Sequence, residues 1–152
     1  MPNLRSRIRM TDEEINAFLD DAWTIHVASI GPDGAPHLVP MWFIRDGSTI
    51  QFWTFGKSQK ILNLRRDPRV TIMAEAGTDY SELRGVTIQG RAEIVEDVAR
   101  ISDFAVRCLG KYYGDQPGGA EELAASAMKR VLVIVRPESI ASWDHRKIPH
   151  QL

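Results

Sequence analysis

The chain has 152 residues, of which 43% are hydrophobic and 26% charged, and its formal net charge at pH 7 is -1. This length predicts one domain, since domains average roughly 150 residues. The composition is that of an ordinary soluble globular protein, and the near-neutral charge argues against a surface built for nucleic acid. A single cysteine, Cys108, excludes an intrachain disulfide and a zinc site built on paired cysteines.

The N-terminal residues carry Arg5, Arg7 and Arg9, and no apolar segment follows them. They therefore do not resemble a secretory signal. No apolar run approaches the roughly 18 residues that cross a bilayer. We predict a cytoplasmic protein with no membrane partner, in which residues 1–10 form a flexible, solvated arm, residues 11–147 the domain and residues 148–152 a tail.

The apolar and turn residues predict short elements along the whole domain. A capping box of Thr11 and Glu14 opens the first helix. In chain order the predicted elements are a helix at 11–22, strands at 23–30, 36–44 and 49–55, a helix at 57–66, strands at 69–75 and 84–95, helices at 98–112 and 120–128, and strands at 130–136 and 139–144. Loops are expected at 76–83 and 114–119.

The turns between these elements predict how the strands pair. Asp46-Gly47 is typical of a hairpin turn, so the first three strands are expected to form an antiparallel meander. Gly90 predicts a bend or bulge within the strand at 84–95, and Pro137-Glu138 predicts a turn. Seven strands joined mostly by hairpins, with four short helices, predict a mainly β, α+β fold: a small antiparallel barrel with helices outside.

The segment from Phe52 to Val70 reads FWTFGKSQKILNLRRDPRV and holds five basic residues against one acid. Lys57, Ser58, Gln59 and Lys60 stand where a strand runs into a helix. Helix N-termini present free backbone N–H groups and a partial positive charge, so this turn is a candidate phosphate seat. A motif this short is weak evidence for a phosphate site, so the alternative that this segment is simply a solvated basic helix stays open.

This segment resembles the split-barrel flavin-binding proteins related to pyridoxamine 5'-phosphate oxidase, and more closely the branch that uses flavin or the deazaflavin coenzyme F-420. The resemblance continues in TIHVASIGPDGAPHLVPMWF, LRGVTIQGRAEIVED and RVLVIVRPESIASWDHRK, and covers about residues 11–147. It implies a split antiparallel β-barrel of the FMN-binding type. It also implies an oxidoreductase that transfers a hydride between coenzyme F-420, or FMN, and a small organic molecule. An FMN-dependent oxidase or reductase of the pyridoxamine phosphate oxidase type is one alternative. A cofactor-binding or sequestering module, or a haem-binding protein, is another.

The resemblance also implies a cofactor site. In the oxidases a Tyr-Thr-Asn-x-x-Ser-Arg-Lys motif holds the FMN phosphate, and the segment from Trp53 to Lys60 stands in its place. The residues that match are Thr54, Ser58 and Lys60. Gln59 replaces the arginine, and Lys57 can supply the missing charge; this departure favours F-420 over FMN. The segment that would lie along the cofactor ring is Pro40, Met41 and Trp42.

Further contacts follow from the resemblance alone. Candidates for contacts with substrate or from the partner subunit are His37, Arg84, Trp143 and Arg146. The family is dimeric with the cofactor between subunits, so we expect a homodimer. Phe52, Trp53 and Phe55 place aromatic side chains on both faces of one strand, which either a partner or the protein's own helices must cover.

No catalytic residue or metal ligand is predicted. The four histidines, His26, His37, His145 and His150, lack the spacing of metal ligands. A cofactor of this kind carries the redox chemistry itself, while the protein supplies binding and orientation.

Overall fold

The computed structural model describes residues 3–114 and 120–148. The helices are α1 (Leu4–Ile8), α2 (Asp12–Asp21), α3 (Gln59–Arg66), α4 (Val98–Tyr113) and α5 (Ala120–Ala127). The strands are β1 (Ile25–Ile30), β2 (Pro36–Met41), β3 (Ile44–Asp46), β4 (Thr49–Phe55), β5 (Arg69–Ala76), β6 (Arg84–Val95) and β7 (Arg130–Asp144). Two single-turn 3₁₀ helices span Tyr80–Glu82 and His145–Lys147.

The seven strands form one antiparallel sheet in the order β2-β1-β5-β6-β7-β4-β3. Strands β2 and β3 lie at opposite ends of this order, yet only Trp42 and Phe43 separate them in the chain. The three steps from Met41 to Ile44 reach at most about 11 Å. The two ends of the sheet must therefore meet, and the sheet curls into the predicted split barrel.

The predicted three-strand meander is wrong. The segment at 36–44 forms two strands, because the backbone leaves the sheet at Trp42 and Phe43 and crosses to its other end. The hairpin expected at Asp46-Gly47 is present between β3 and β4, and Gly47 in its turn has a φ of 58°. Strand β2 pairs with β1 and not with this hairpin.

The predicted turn at Pro137-Glu138 is also wrong, since residues 130–144 form the single strand β7. The register between β6 and β7 shifts between Gln89 and Gly90, where Gly90 faces Pro137. A Cβ atom on Gly90 would lie 2.2 Å from the carbonyl oxygen of Arg136, so only glycine fits. The bulge expected at Gly90 is confirmed, and it absorbs the proline within one continuous strand.

Two apolar clusters hold the barrel together. The first fills its interior with side chains from the strands, from α2 and from α3: Ile15, Leu19, Ile25, Val27, Phe43, Ile50, Phe52, Ile61, Leu64, Ile72, Val86, Ile88, Val133 and Val135. The second lies outside, where α4 packs against β7 and β3. Trp53 packs against this outer cluster, so the protein's own helices cover its side chain. The Phe55 side chain, by contrast, is 54% exposed.

Residues 4–8 form a helix where the sequence predicted a solvated arm. The apolar side chains of Ile8 and Met10 explain the difference, because both are buried. The Met10 N–H donates to Ser142 Oγ at 3.0 Å, which fastens the segment to β7. Ile148 is buried too; residues 149–152 of the predicted tail and 115–119 of the predicted loop lie outside the described residues.

Tyr112 of α4 fixes the crossing from β2 to β3. Its hydroxyl accepts from the Phe43 N–H at 3.0 Å and donates to the Trp23 carbonyl at 2.7 Å. The Trp42 ring stacks on the Tyr112 ring at 4.2 Å with an interplanar angle of 5°. Burial raises the pKa of Tyr112 to about 12 from the ordinary value of 10.0, so the phenol keeps its proton, and can donate, to a higher pH than an exposed tyrosine.

Tyr112→Phe is expected to lower the free energy of unfolding by about 1–3 kcal/mol, because the buried Phe43 N–H loses its acceptor. Tyr113→Phe, at a tyrosine that is 56% exposed, is the matched control and is expected to change it little. Urea denaturation measures both. Equal stabilities of the two variants would contradict the assigned role of Tyr112.

Candidate functional site

Three of the predicted phosphate-binding residues meet where β4 runs into α3. Lys60 Nζ donates to Thr54 Oγ1 at 2.8 Å, and Thr54 Oγ1 lies 3.4 Å from Ser58 Oγ. Thr54 is buried, since its side chain points into the barrel. The strand therefore supplies a fixed hydroxyl that holds the lysine at the start of the helix.

The ammonium group of Lys60 is half-buried and is paired with no carboxylate in the described part of the chain. Burial is the cause that lowers the pKa of Lys60, with no acid to offset it. A partly desolvated cation of this kind is stabilised by an incoming anion. The charge of Lys60 is thus available to a ligand.

The first turn of α3 adds further donors. Ser58 is the N-cap residue, and its side chain makes no capping bond. The backbone N–H groups of Gln59 and Lys60 make no backbone hydrogen bond to any described residue. Such N–H groups favour anions. Together with Ser58 Oγ and Lys60 Nζ they form a set of convergent donors, while Lys57 is exposed beside them.

Asn63, which sequence reasoning missed, anchors this turn. It is completely buried, accepts from Gln59 Nε2 at 2.8 Å and donates to Ser29 Oγ of β1 at 3.1 Å. The Gln59 side chain is therefore engaged along its own helix. The available signal was an asparagine between the apolar Ile61 and Leu64, since a polar residue in a buried stripe needs partners.

Trp53 does not join this group. Successive side chains of a strand point to opposite faces, so Trp53 lies on the face away from Thr54. Its ring packs against Phe104 at 5.8 Å between centroids, and the guanidinium of Arg130 lies 4.6 Å from its centroid.

A second cationic segment lies at the same corner and was also missed. The Gly56 N–H donates to the Lys129 carbonyl at 3.1 Å, which brings Lys129 and Arg130 next to the turn before α3. These residues follow the turn by more than seventy positions in the sequence. Nothing in the local pattern at 53–60 indicated them.

Strand β2 carries the predicted ring-binding segment. It pairs only with β1 among the described strands, so backbone groups along its other edge are left without a strand partner. Met41 points towards the core, Pro40 points outwards, and Trp42 is 44% exposed where it stacks on Tyr112. The strand thus presents a free edge that ends at an aromatic ring.

His37 stands at the other end of β2, opposite Ser29 in the register. Its Nδ1 atom is buried without a hydrogen-bond partner among residues 3–114 and 120–148. Ser29 in turn accepts from Asn63 of α3. The end of β2 that carries His37 therefore lies near α3, and Trp42 lies at the opposite end of the strand.

Arg84, Trp143 and Arg146 form a separate group at the far end of β7. The Trp143 ring lies across Gly85, where a Cβ atom would meet Trp143 Cζ2 at 2.4 Å. Arg146 Nε and Nη2 donate to both carboxylate oxygens of Asp144 at 2.9 and 2.8 Å, which lowers the pKa of that acid. Arg84 faces Asp144 in the register.

The two groups lie at opposite ends of one strand. Phe55, just before the Lys60 turn, pairs with Arg130 at the start of β7, and Trp143 is near its end. Thirteen residues of strand are about 43 Å of contour. Within the described residues no hydrogen bond or ion pair joins the groups.

Two structural findings bear on other classes of site. No cluster of three or more His, Cys, Asp or Glu side chains that could hold a metal ion occurs within the described ranges. None of the described helices has the length and apolar character to cross a bilayer.

Comparison with known proteins identifies the family. A family model described as pyridoxamine 5'-phosphate oxidase matches residues 11–144. The chain belongs to this family. The predicted resemblance and the predicted split-barrel fold are thus both confirmed.

Three similar proteins indicate the kind of reaction to which the chain is related. The F420H(2)-dependent biliverdin reductase of Mycobacterium tuberculosis is 25% identical over 134 residues, which are 87% of this chain and 93% of the reductase. A solved structure of a conserved hypothetical protein from Mycobacterium tuberculosis is 40% identical, with a TM-score of 0.89 over 99% of this chain and 96% of that one. The structure of an F420 reductase is 27% identical, with a TM-score of 0.68 over 86% and 98%. These similarities support oxidoreductase chemistry related to flavins or deazaflavins.

Lys60→Met is expected to raise the free energy of unfolding at pH 7 by about 0.5 kcal/mol or less. A lysine whose pKa is lowered by folding binds its proton less tightly in the folded state, so its charge opposes folding at pH 7. The difference between variant and wild type should shrink as the pH rises towards 10.5, the ordinary lysine value, because both states then lose the proton. Denaturation curves across this pH range measure it, with Lys57→Met as the exposed control; a difference that grows with pH would contradict the assignment.

Proposed function

We propose that this protein is an oxidoreductase that transfers a hydride between coenzyme F-420 and a small organic acceptor, with FMN as the alternative cofactor. The observation that carries the proposal is the half-buried ammonium of Lys60, which has no carboxylate partner among the described residues and lies beside the hydroxyls of Thr54 and Ser58. Both cofactors carry a phosphate that such a group of donors suits. The names of two relatives favour F-420.

The donors at the start of α3 fit a phosphate in kind and number. In this proposal the phosphate accepts from Lys60 Nζ, from Ser58 Oγ and from the free N–H groups of the first turn. Lys57 and Lys129 add positive charge around it. Gln59, where the oxidases have arginine, is held by Asn63 and contributes its backbone N–H.

Strand β2 is proposed to orient the ring. The distance from His37, near Ser29 and α3, to Trp42, which follows the strand, is about 17 Å at the usual rise per residue. Backbone groups on its free edge can bond the polar rim of the ring, and Trp42 on Tyr112 closes one end. When bound, the deazaflavin or flavin supplies the hydride chemistry, and the protein binds, orients and excludes water.

A homodimer is part of the proposal. Arg84, Trp143 and Arg146 lie far along β7 from Lys60 within one chain. In a two-fold dimer the same residues of the partner can approach the Lys60 site. The cofactor would then lie between the subunits, and the acceptor would bind beside Trp143 of the second chain.

The phosphate seat is tested by Lys57→Ala/Lys60→Ala. The double variant is expected to bind F-420 at least about tenfold more weakly, since charge-assisted hydrogen bonds contribute roughly 1.5–3 kcal/mol. Arg65→Ala is the matched control, because Arg65 lies in the last turn of the same helix and pairs with Glu96. Fluorescence titration with F-420 gives the affinities, and an unchanged affinity of the double variant would place the phosphate elsewhere.

Cofactor identity and turnover need a separate experiment. The absorption spectrum and mass of the cofactor retained on native purification or reconstitution are expected to be those of F-420; those of FMN would favour the alternative. Oxidation of F-420H2, or of NAD(P)H with FMN, is then followed over a panel of organic acceptors that includes biliverdin. Tight binding without turnover over the panel would indicate a cofactor-binding module, and binding of neither cofactor would overturn the proposal.

Subunit complementation tests the shared site. Lys57→Ala/Lys60→Ala and Arg84→Gln/Arg146→Gln dimers are each expected to lose most activity. A co-refolded equimolar mixture should regain about one quarter of wild-type activity, because half the dimers are mixed and each mixed dimer has one intact site of two. Sedimentation velocity confirms dimers. Dimers without recovery would contradict a site built from both subunits.

A further inference from the structure

A cleft of about 730 Å³ lies between α1 and the C-terminal half of β7. Its size falls within the roughly 300–1,000 Å³ typical of small-molecule sites. The residues that matter for its chemistry are Arg5, Arg9, Asp12, Ile140 and His145. It lies at the opposite end of β7 from Lys60.

The floor of the cleft is apolar. Ile140 is 49% exposed although its register partner on β6, Ile88, is buried. Ile8 and Met10 also line the cleft and are buried beneath its surface. A half-exposed isoleucine at the bottom of a concave surface is hydrated in the free protein and gains from contact with an apolar ligand.

The rim of the cleft is cationic. Arg5 and Arg9 line it, and neither forms an ion pair with any residue that the structure describes; Asp12 is the one carboxylate in the lining. His145 lines it as well, and its Nδ1 is buried without a hydrogen-bond partner in the described chain. The charge of the rim therefore favours an anion.

The walls are fixed before any ligand binds. Lys147 Nζ donates to the Arg9 carbonyl at 2.9 Å, and the Met10 N–H donates to Ser142 Oγ at 3.0 Å. The backbone at Arg9 and Met10 therefore need not be ordered by a ligand, which lowers the entropy cost of binding.

We propose that this cleft binds a small amphipathic organic anion, a carboxylate with an apolar body of medium length. The carboxylate bonds to Arg5 and Arg9, and the apolar body covers Ile140. This proposal does not rest on the proposed function, because it needs neither a cofactor nor turnover.

Calorimetric titration of the full chain with octanoate tests the proposal. Wild type is expected to bind octanoate saturably at one site per chain, at least about tenfold more tightly than neutral octan-1-ol. Arg5→Gln/Arg9→Gln should weaken octanoate binding at least about tenfold. Arg7→Gln is the matched control, since Arg7 lies on the same helix but does not line the cleft, and it should leave the affinity unchanged.

Two further variants separate a loss of octanoate binding from misfolding and from effects at the phosphate seat. Ile140→Glu, at a half-exposed position, places a like charge on the floor and should abolish octanoate binding while far-UV circular dichroism stays unchanged. Lys57→Ala/Lys60→Ala should bind octanoate normally, which separates this cleft from the phosphate seat. The proposal is overturned if wild type shows no saturable binding at millimolar octanoate, or if Arg7→Gln loses as much affinity as the double variant.

Discussion

The two-residue link between β2 and β3 is the constraint on which the rest of the molecule depends. Trp42 and Phe43 connect the first and last strands of a seven-strand order, and so short a link requires the sheet to curl until its two ends are close together. Closure creates the interior that Phe43 and Phe52 fill. It also leaves β2 with a free edge on the outside, and Tyr112 holds the crossing so that this edge has one fixed position.

The sequence predicted the local elements well and the long-range pairing poorly. The capping box at Thr11, the hairpin at Asp46-Gly47 and the bulge at Gly90 are dictated by residues next to one another. The crossing at residues 42–43 has the apolar pattern of a strand, so periodicity could not detect it. Pro137 was wrongly predicted to form a turn. The glycine that lets it stay in the strand, Gly90, lies forty-seven positions earlier and is outside the local pattern.

The same distinction applies to the candidate site. Thr54, Ser58 and Lys60 are neighbours along one strand and one helix turn, so their grouping was readable from sequence. Strict alternation along β4 separates Trp53 from them, which the motif alone did not show. Asn63, Tyr112 and Lys129 act through partners in other parts of the chain, and only the tertiary structure brings those partners together.

The short helix α1 has a consequence for solubility. From Arg136 onwards β7 pairs with β6 alone among the described strands, so its other side is an open edge. Open edges recruit strands from other molecules. Pro137 offers no N–H there, the bulge interrupts the ladder, and the segment of α1 and Met10 is fastened beside Ser142. The N-terminal segment, together with the proline and the bulge, thus limits how much of this edge another strand can reach.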